Sequence, residues 1–223
     1  MLRKLVLGVA VMALSASTVA AQTSAGMFAV GPRLGYVRYA DETGIQDGAL
    51  LGLDGLYYIS NNLGIGFMLD VSRPQTDSSF FPAEMSFGDT TFSFGVKQPL
   101  TIVQFGIQAE ITTGGKFAPF LRGSVGGYRV TLDPQVARGS SNFVELGFSF
   151  GGGINFATSP GTAVRIEVRD YVFTDFDRSL LNPVDPAFAP TRFPEVLPAK
   201  DPFFGTAHNI QIALAFSFTP GGQ

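Results

Sequence analysis

The sequence predicts an all-β chain: an eight-stranded antiparallel up-and-down transmembrane β-barrel preceded by a cleaved signal peptide. Three observations carry that prediction. Eight segments alternate a bulky apolar residue with a small or polar one, and their connections alternate between short and long. After residue 21 no apolar stretch reaches the roughly 18 residues a spanning helix needs. The last segment is the cleanest. Ile210, Ile212, Leu214, Phe216 and Phe218 share one face; Asn209, Gln211, Ala213, Ala215 and Ser217 share the other. A soluble sheet buries its greasy face, whereas a membrane barrel turns that face to lipid and encloses the polar one.

Residues 1–21 read as the signal. Arg3 and Lys4 open it, Leu5 to Leu14 form a short apolar stretch, and Val19-Ala20-Ala21 offers a small-residue cleavage site before Gln22. The expected organisation is then a short segment at 22–27, the barrel at 28–219 and a short periplasmic tail at 220–223. With 0 cysteines the chain has neither a lipid-modified N-terminal cysteine nor a disulfide framework. Loss of Arg3 and Lys4 moves the formal charge from −3 to −5, which gives no reason to expect a nucleic-acid partner. The 27 glycines and 22 phenylalanines suit many strands with tight turns and an apolar exterior.

In chain order the strands are expected at 28–39, 49–59, 63–72, 99–111, 117–130, 142–156, 162–173 and 207–219. Each is long enough to cross at a tilt, which takes about 9–11 residues. Compact turns at Ser60-Asn61-Asn62, 112–116 and 157–161 alternate with long connections at 40–48, 73–98, 131–141 and 174–206. Short turns belong to the periplasmic side and long loops to the outside, so both termini are expected in the periplasm. Facing is clear in the sixth strand, where Val144, Leu146, Phe148, Phe150, Ile154 and Phe156 oppose Glu145, Gly147, Ser149, Gly151, Gly153 and Asn155. Pro32, Gly55 and Gly123 interrupt the lipid face, and Asp170 breaks it near the upper interface. Residues 91–96 either extend the fourth strand or add another.

Depth supplies a separate signal. Phe28, Tyr57, Phe117, Phe156 and Phe218 all have outward parity beside a terminus or a short turn, where a periplasmic-side aromatic belt belongs. Inward parity collects Asp54, Asp70, Glu110, Glu145 and Glu167 against Arg33, Arg122, Arg165 and Arg169. Near-balance of buried charge predicts a salt-bridged plug, because enclosed charges persist only when paired. The turns suggest that glycines make room for these charges, with Gly52 opposite Asp70, Gly106 opposite Arg122, Gly153 opposite Arg165 and Gly151 opposite Glu167. The competing reading is a narrow water-filled path lined by the same groups.

Ala118-Pro119-Phe120-Leu121-Arg122-Gly123-Ser124-Val125-Gly126-Gly127-Tyr128, Phe150-Gly151-Gly152-Gly153-Ile154-Asn155, Val164-Arg165-Ile166-Glu167-Val168-Arg169-Asp170-Tyr171 and the closing strand from Ile210 to Phe218 together resemble the small outer-membrane β-barrel family typified by OmpX and the OmpA transmembrane domain. The resemblance spans nearly the whole mature chain. It implies an eight-stranded barrel with charged lumen contacts in a Gram-negative outer membrane, and insertion by the barrel-assembly machinery through the strand ending at Phe218. Thr219-Pro220-Gly221-Gly222-Gln223 follow that aromatic, where family members usually end or continue into another domain.

The loop at 174–206 interleaves Pro183, Pro186, Pro190, Pro194, Pro198 and Pro202 with phenylalanines. Phe188, Phe193, Phe203 and Phe204 either form a recognition surface for an external ligand or pack down over the barrel mouth. External acids outnumber bases, and no calcium-loop spacing occurs. No catalytic, cofactor or metal residues stand out. His208, the 1 histidine of the chain, has outward parity, and the expectation is no enzyme. The expected role is a structural or surface-exposed monomer in the outer membrane. A loop-mediated adhesion or binding protein and a narrow porin-like channel for small or hydrophobic solutes are the alternatives.

Overall fold

The structure, a computed structural model, describes residues 24–95, 97–132, 141–159, 161–181, 195–196 and 201–219. The signal at 1–21, the tail at 220–223, and Phe188 and Phe193 lie outside the described residues. The strands are β1 (Phe28–Arg38), β2 (Gly48–Tyr58), β3 (Leu63–Ser72), β4 (Pro82–Phe87), β5 (Thr90–Gly95), β6 (Leu100–Thr112), β7 (Phe117–Leu132), β8 (Ser141–Ser159), β9 (Thr162–Asp177), β10 (Glu195–Val196) and β11 (Phe204–Phe218). Eight of them close a barrel in the order β1-β11-β9-β8-β7-β6-β3-β2, with every pair antiparallel. β10, β4 and β5 form a separate three-stranded sheet. Of the segment at 91–96, residues 91–95 therefore belong to a hairpin strand outside the wall, not to a further barrel stave.

The register sets the size of the barrel. The row of partners that starts at Phe28 runs through Tyr57, Ile65, Ala109, Gly123, Phe150, Asp170 and Ile210, and returns to β1 at Arg38. The closed sheet is thus staggered by the step from residue 28 to residue 38. With standard strand spacing and rise, that stagger in eight strands gives a tilt of about 41° and a radius of about 8 Å. Each residue then climbs about 2.5 Å along the barrel axis. An interior of that width holds side chains and little else.

The bulky rows face outward and are exposed, with Leu34, Leu51, Ile107, Ile111, Leu121 and Phe150 each at least 60% accessible. Their neighbours of opposite parity are buried, among them Arg33, Asp70, Gln104, Gln108, Glu110, Arg122, Glu167, Arg169 and Gln211. The polarity of the sheet is inverted relative to a soluble one, as a lipid-facing wall requires. The interruptions of that wall have local causes. The Phe67 ring lies over Gly55, so closely that a Cβ there would come within 2.3 Å of it. Pro32, which has no N–H to donate, sits in the seam between the first and last strands, where Val30 and Arg33 pair with Phe218 and Ala215 and the ladder is interrupted at the two residues between.

Two of the cross-strand registers differ from expectation. Gly52 does pair with Asp70, but Glu110, not Gly106, pairs with Arg122. Across β8 and β9, Gly153 pairs with Glu167 and Gly151 with Arg169. The connection after β6 consumes more chain than a compact turn, since Thr112 already pairs with Phe120. Gly114 and Gly115 adopt positive φ there, at 72° and 99°. Between β8 and β9 a one-residue irregularity near Ala157 and Ser159 shifts the pairing.

Candidate functional site: the enclosed lumen and its external cap

Along the axis the interior divides into three layers. The middle layer is ionic and begins about 6 Å above the level of Phe28. Arg122 is its hub: Nη2 lies 2.6 Å from Glu110 Oε2, and Nη1 lies 2.7 Å from Asp54 Oδ2 and 3.4 Å from Glu167 Oε2. Arg165 shares the Glu110 carboxylate and stacks over the Phe120 ring at 4.4 Å. Tyr58 donates to the other Glu110 oxygen at 2.9 Å. Arg169 holds Glu167 at 2.7 Å and also donates to Met68 Sδ. Arg33 reaches Asp70 at 3.3 Å and Asp54 at 3.7 Å, and donates to Gln211, which in turn bonds Gln104.

Four arginines therefore meet four carboxylates, all nearly inaccessible. Glu145 stands apart: it is half-buried opposite Tyr128 and makes no ion pair among the described residues. Without it the enclosed charge sums to zero, the arrangement that low-dielectric enclosure demands.

Glycine makes this density fit. Gly52 separates Arg33 from Asp70 along the ladders, and Gly151 separates Arg122 from Arg169. A Cβ on Gly52 would fall 1.9 Å from Asp70 Oδ1, and one on Gly151 would fall 2.3 Å from the Val168 carbonyl oxygen.

The layer toward the long loops is apolar. Tyr128 stacks on Phe173 at 4.0 Å, Phe173 stacks on Phe176 at 5.8 Å, and Tyr39, Phe143 and Phe203 pack around them. Ile45, Phe81 and Leu181 come down from the loops to complete this core. Buried hydroxyls find partners, with Tyr128 donating to the Thr174 carbonyl and Tyr171 to that of Gly127. Arg178 joins three loops: it donates to the Glu42 carbonyl at 2.8 Å, stacks on Phe80 at 4.1 Å, and its backbone N–H bonds the Phe203 carbonyl.

A cap of loop phenylalanines was one of the two alternatives the sequence offered, but the wall residues that join it, Tyr39, Tyr128 and Phe173 among them, were not foreseen, although a signal was present. Near the loop ends Leu50-Leu51 and Ile102-Val103 place large apolar residues on both faces, so the wall there is buried from inside as well.

Of the loop phenylalanines, Phe203 packs against the cap and Phe204 is exposed. The turn-side layer is small and open. A cavity of about 30 Å³, lined by Ala29, Tyr58, Ala118, Asn155, Arg165 and Ser217 among others, has room for about two waters. At that end Phe28, Tyr57, Phe117, Phe156 and Phe218 fall within about 6 Å of one height on the outer wall. Phe117 and Phe156 meet edge to face at 5.4 Å. His208 lies on the outer wall, with Nδ1 2.8 Å from Asp170 Oδ2. Among the described residues no three side chains converge as metal ligands.

A family model described as the outer membrane protein beta-barrel domain matches residues 7–218. Neisserial surface protein A is similar in structure, with a TM-score of 0.50 and 12% identity over 87% of this chain and 97% of that one. OprG of Pseudomonas aeruginosa gives 0.49 and 12% over 89% and 98%, and Ail, the attachment invasion locus protein of Yersinia pestis, gives 0.40 and 8% over 86% and 97%. At such identity the likeness to Neisserial surface protein A extends to the fold alone. No curated protein matches the sequence.

Proposed function

The chain belongs to the family of outer-membrane protein β-barrel domains, and from that premise we propose that it is a sealed, structural barrel presenting external loops. The observation that carries this reading is the interior itself. A neutral ionic layer fills the middle and an aromatic cap closes the loop end, leaving small cavities of about 30 and 10 Å³ toward the short turns among those lined by described residues. A conducting path needs a continuous run of water and, for selectivity, an uncompensated ring of one sign. Neither is supported by four arginines held by four carboxylates. The reading is non-enzymatic, with His208 directed to Asp170 on the wall. It places the loops outside and both termini in the periplasm. The protein inserts as a monomer through the barrel-assembly machinery, with Phe218 as the terminal aromatic. Reconstitution in planar bilayers tests it: the expected record is free of discrete conductance steps, and regular steps abolished by Arg122→Ala would overturn the sealed reading.

A second reading is favoured by one further observation. The β4–β5 hairpin exposes Phe87, Phe92 and Phe94, with Phe87 and Phe92 edge to face at 6.3 Å, and the loop-side edge strand β5 is exposed along its whole length. Such a surface suits binding of another protein. Deleting 82–95 should abolish surface attachment if this hairpin is the adhesive element, and should leave it unchanged if the loops only cover the barrel.

A further inference from the structure

The same register that sizes the barrel sets the height of every outward side chain, and the outward bases fall at one level. Arg38 ends the partner row that begins at Phe28, about 25 Å higher along the axis. Arg73 is two residues above Val71 on β3, Arg129 pairs with Val103 and Val144, and His208 pairs with Val172. Their heights come to about 26, 27 and 27 Å. All four are exposed, and they stand on β1, the end of β3, β7 and β11, so the level is occupied on most sides of the wall. Directly beneath them the wall is apolar, at Tyr36, Val71, Gly127 with Val125, and Ile210. The apolar band of an outer-membrane barrel is about 25 Å tall, so this ring coincides with the headgroup level on the loop side.

We infer that Arg38, Arg73 and Arg129 form a girdle that binds the phosphate groups of anionic lipids lodged against the barrel on its loop side. A guanidinium fork matches a phosphate in two parallel hydrogen bonds, and the apolar wall below each arginine receives the acyl chains of the same lipid. The three arginines make no ion pair among the described residues. Of the carboxylates near this level, Glu145 has inward parity and is half-buried opposite Tyr128, and Asp47 accepts the Tyr39 N–H at 3.0 Å; Asp170, lower on the wall, holds His208 at 2.8 Å. A soluble anion is the poorer occupant, because the loops above the girdle carry more acids than bases and repel it. A lipid approaches from the side and avoids them.

This inference rests on the membrane reading, and its experiment is blind to which way the loops point. Folded barrel in zwitterionic micelles is titrated with a phosphatidic acid, and bound lipid is read by native mass spectrometry. The matching diacylglycerol and inorganic phosphate serve as comparators. The barrel should retain phosphatidic acid, not diacylglycerol, and inorganic phosphate should not displace it. The triple variant Arg38→Gln, Arg73→Gln, Arg129→Gln should bind on the order of 100-fold more weakly, and the corresponding triple lysine variant, which keeps the charge but loses the fork, should fall between it and the parent. Each single glutamine variant should lose about fivefold and carries the test should the triple variant not fold. Binding by the glutamine variants within about twofold of the parent, equal retention of diacylglycerol, or displacement by inorganic phosphate would overturn the girdle. A failure of the sealed-barrel reading shows separately, as conductance.

Discussion

At the scale of single residues the lumen hangs on Arg122, which touches three carboxylates drawn from three different strands. Replacing it with methionine leaves Asp54, Glu110 and Glu167 with too little positive charge. Breaking one partner of such an enclosed set costs about 3–5 kcal/mol, read as a lower urea midpoint for unfolding from micelles. A glycine pair checks the packing. Gly151→Ala drives a Cβ into the Val168 carbonyl oxygen at 2.3 Å and should cost about 1–3 kcal/mol, whereas Gly123→Ala meets only the Ser149 carbonyl oxygen at 3.7 Å and should be close to neutral. Which residues turn inward was legible in the sequence, because side-chain parity follows from the period of two. Which inward residues touch was not. Arg122 pairs with Glu110 only because the β6–β7 connection is longer than its residues advertise.

At the scale of elements the strands were read to within a few residues at most ends, and β8 and β9 run further than expected, to Ser159 and Asp177. The extra length of β9 at the loop end carries Phe176 into the cap beside Phe173, a tertiary use of these residues that no local alternation announces. The loops are harder still, since their packing depends on contacts between distant segments. Arg178 is the clearest instance: it gathers a carbonyl from the first loop, a ring from the second and a backbone bond within its own. Arg178→Ala should loosen this clasp without touching the wall. The expected outcome is faster proteolytic cutting within 73–99 and an unchanged barrel melting temperature; a fall in melting temperature with no change in cutting would contradict the cap as drawn.

At the scale of the whole molecule the account makes depth a measurable coordinate. Ile107 lies near mid-membrane, about 14 Å above Phe28, while Thr101 on the same strand and the same face stands about 29 Å above it, beyond the apolar band. An arginine at Ile107 should cost about 2–4 kcal/mol, and one at Thr101 about 0–1 kcal/mol, as read from unfolding in lipid vesicles. The inverted polarity was visible in the strands from the start, and the neutrality of the interior nearly so; the exclusion of Glu145 from the ion pairs required the fold.

The most direct measurement of that inversion exploits the chain's 0 tryptophans, so that a single one introduced reports alone. Ile107→Trp and Tyr128→Trp are each reconstituted in vesicles whose acyl chains carry bromine at mid-depth. The account predicts strong fluorescence quenching at position 107, on the outer wall, and little at position 128, inside the cap. Strong quenching at 128 with an unquenched 107 would contradict it.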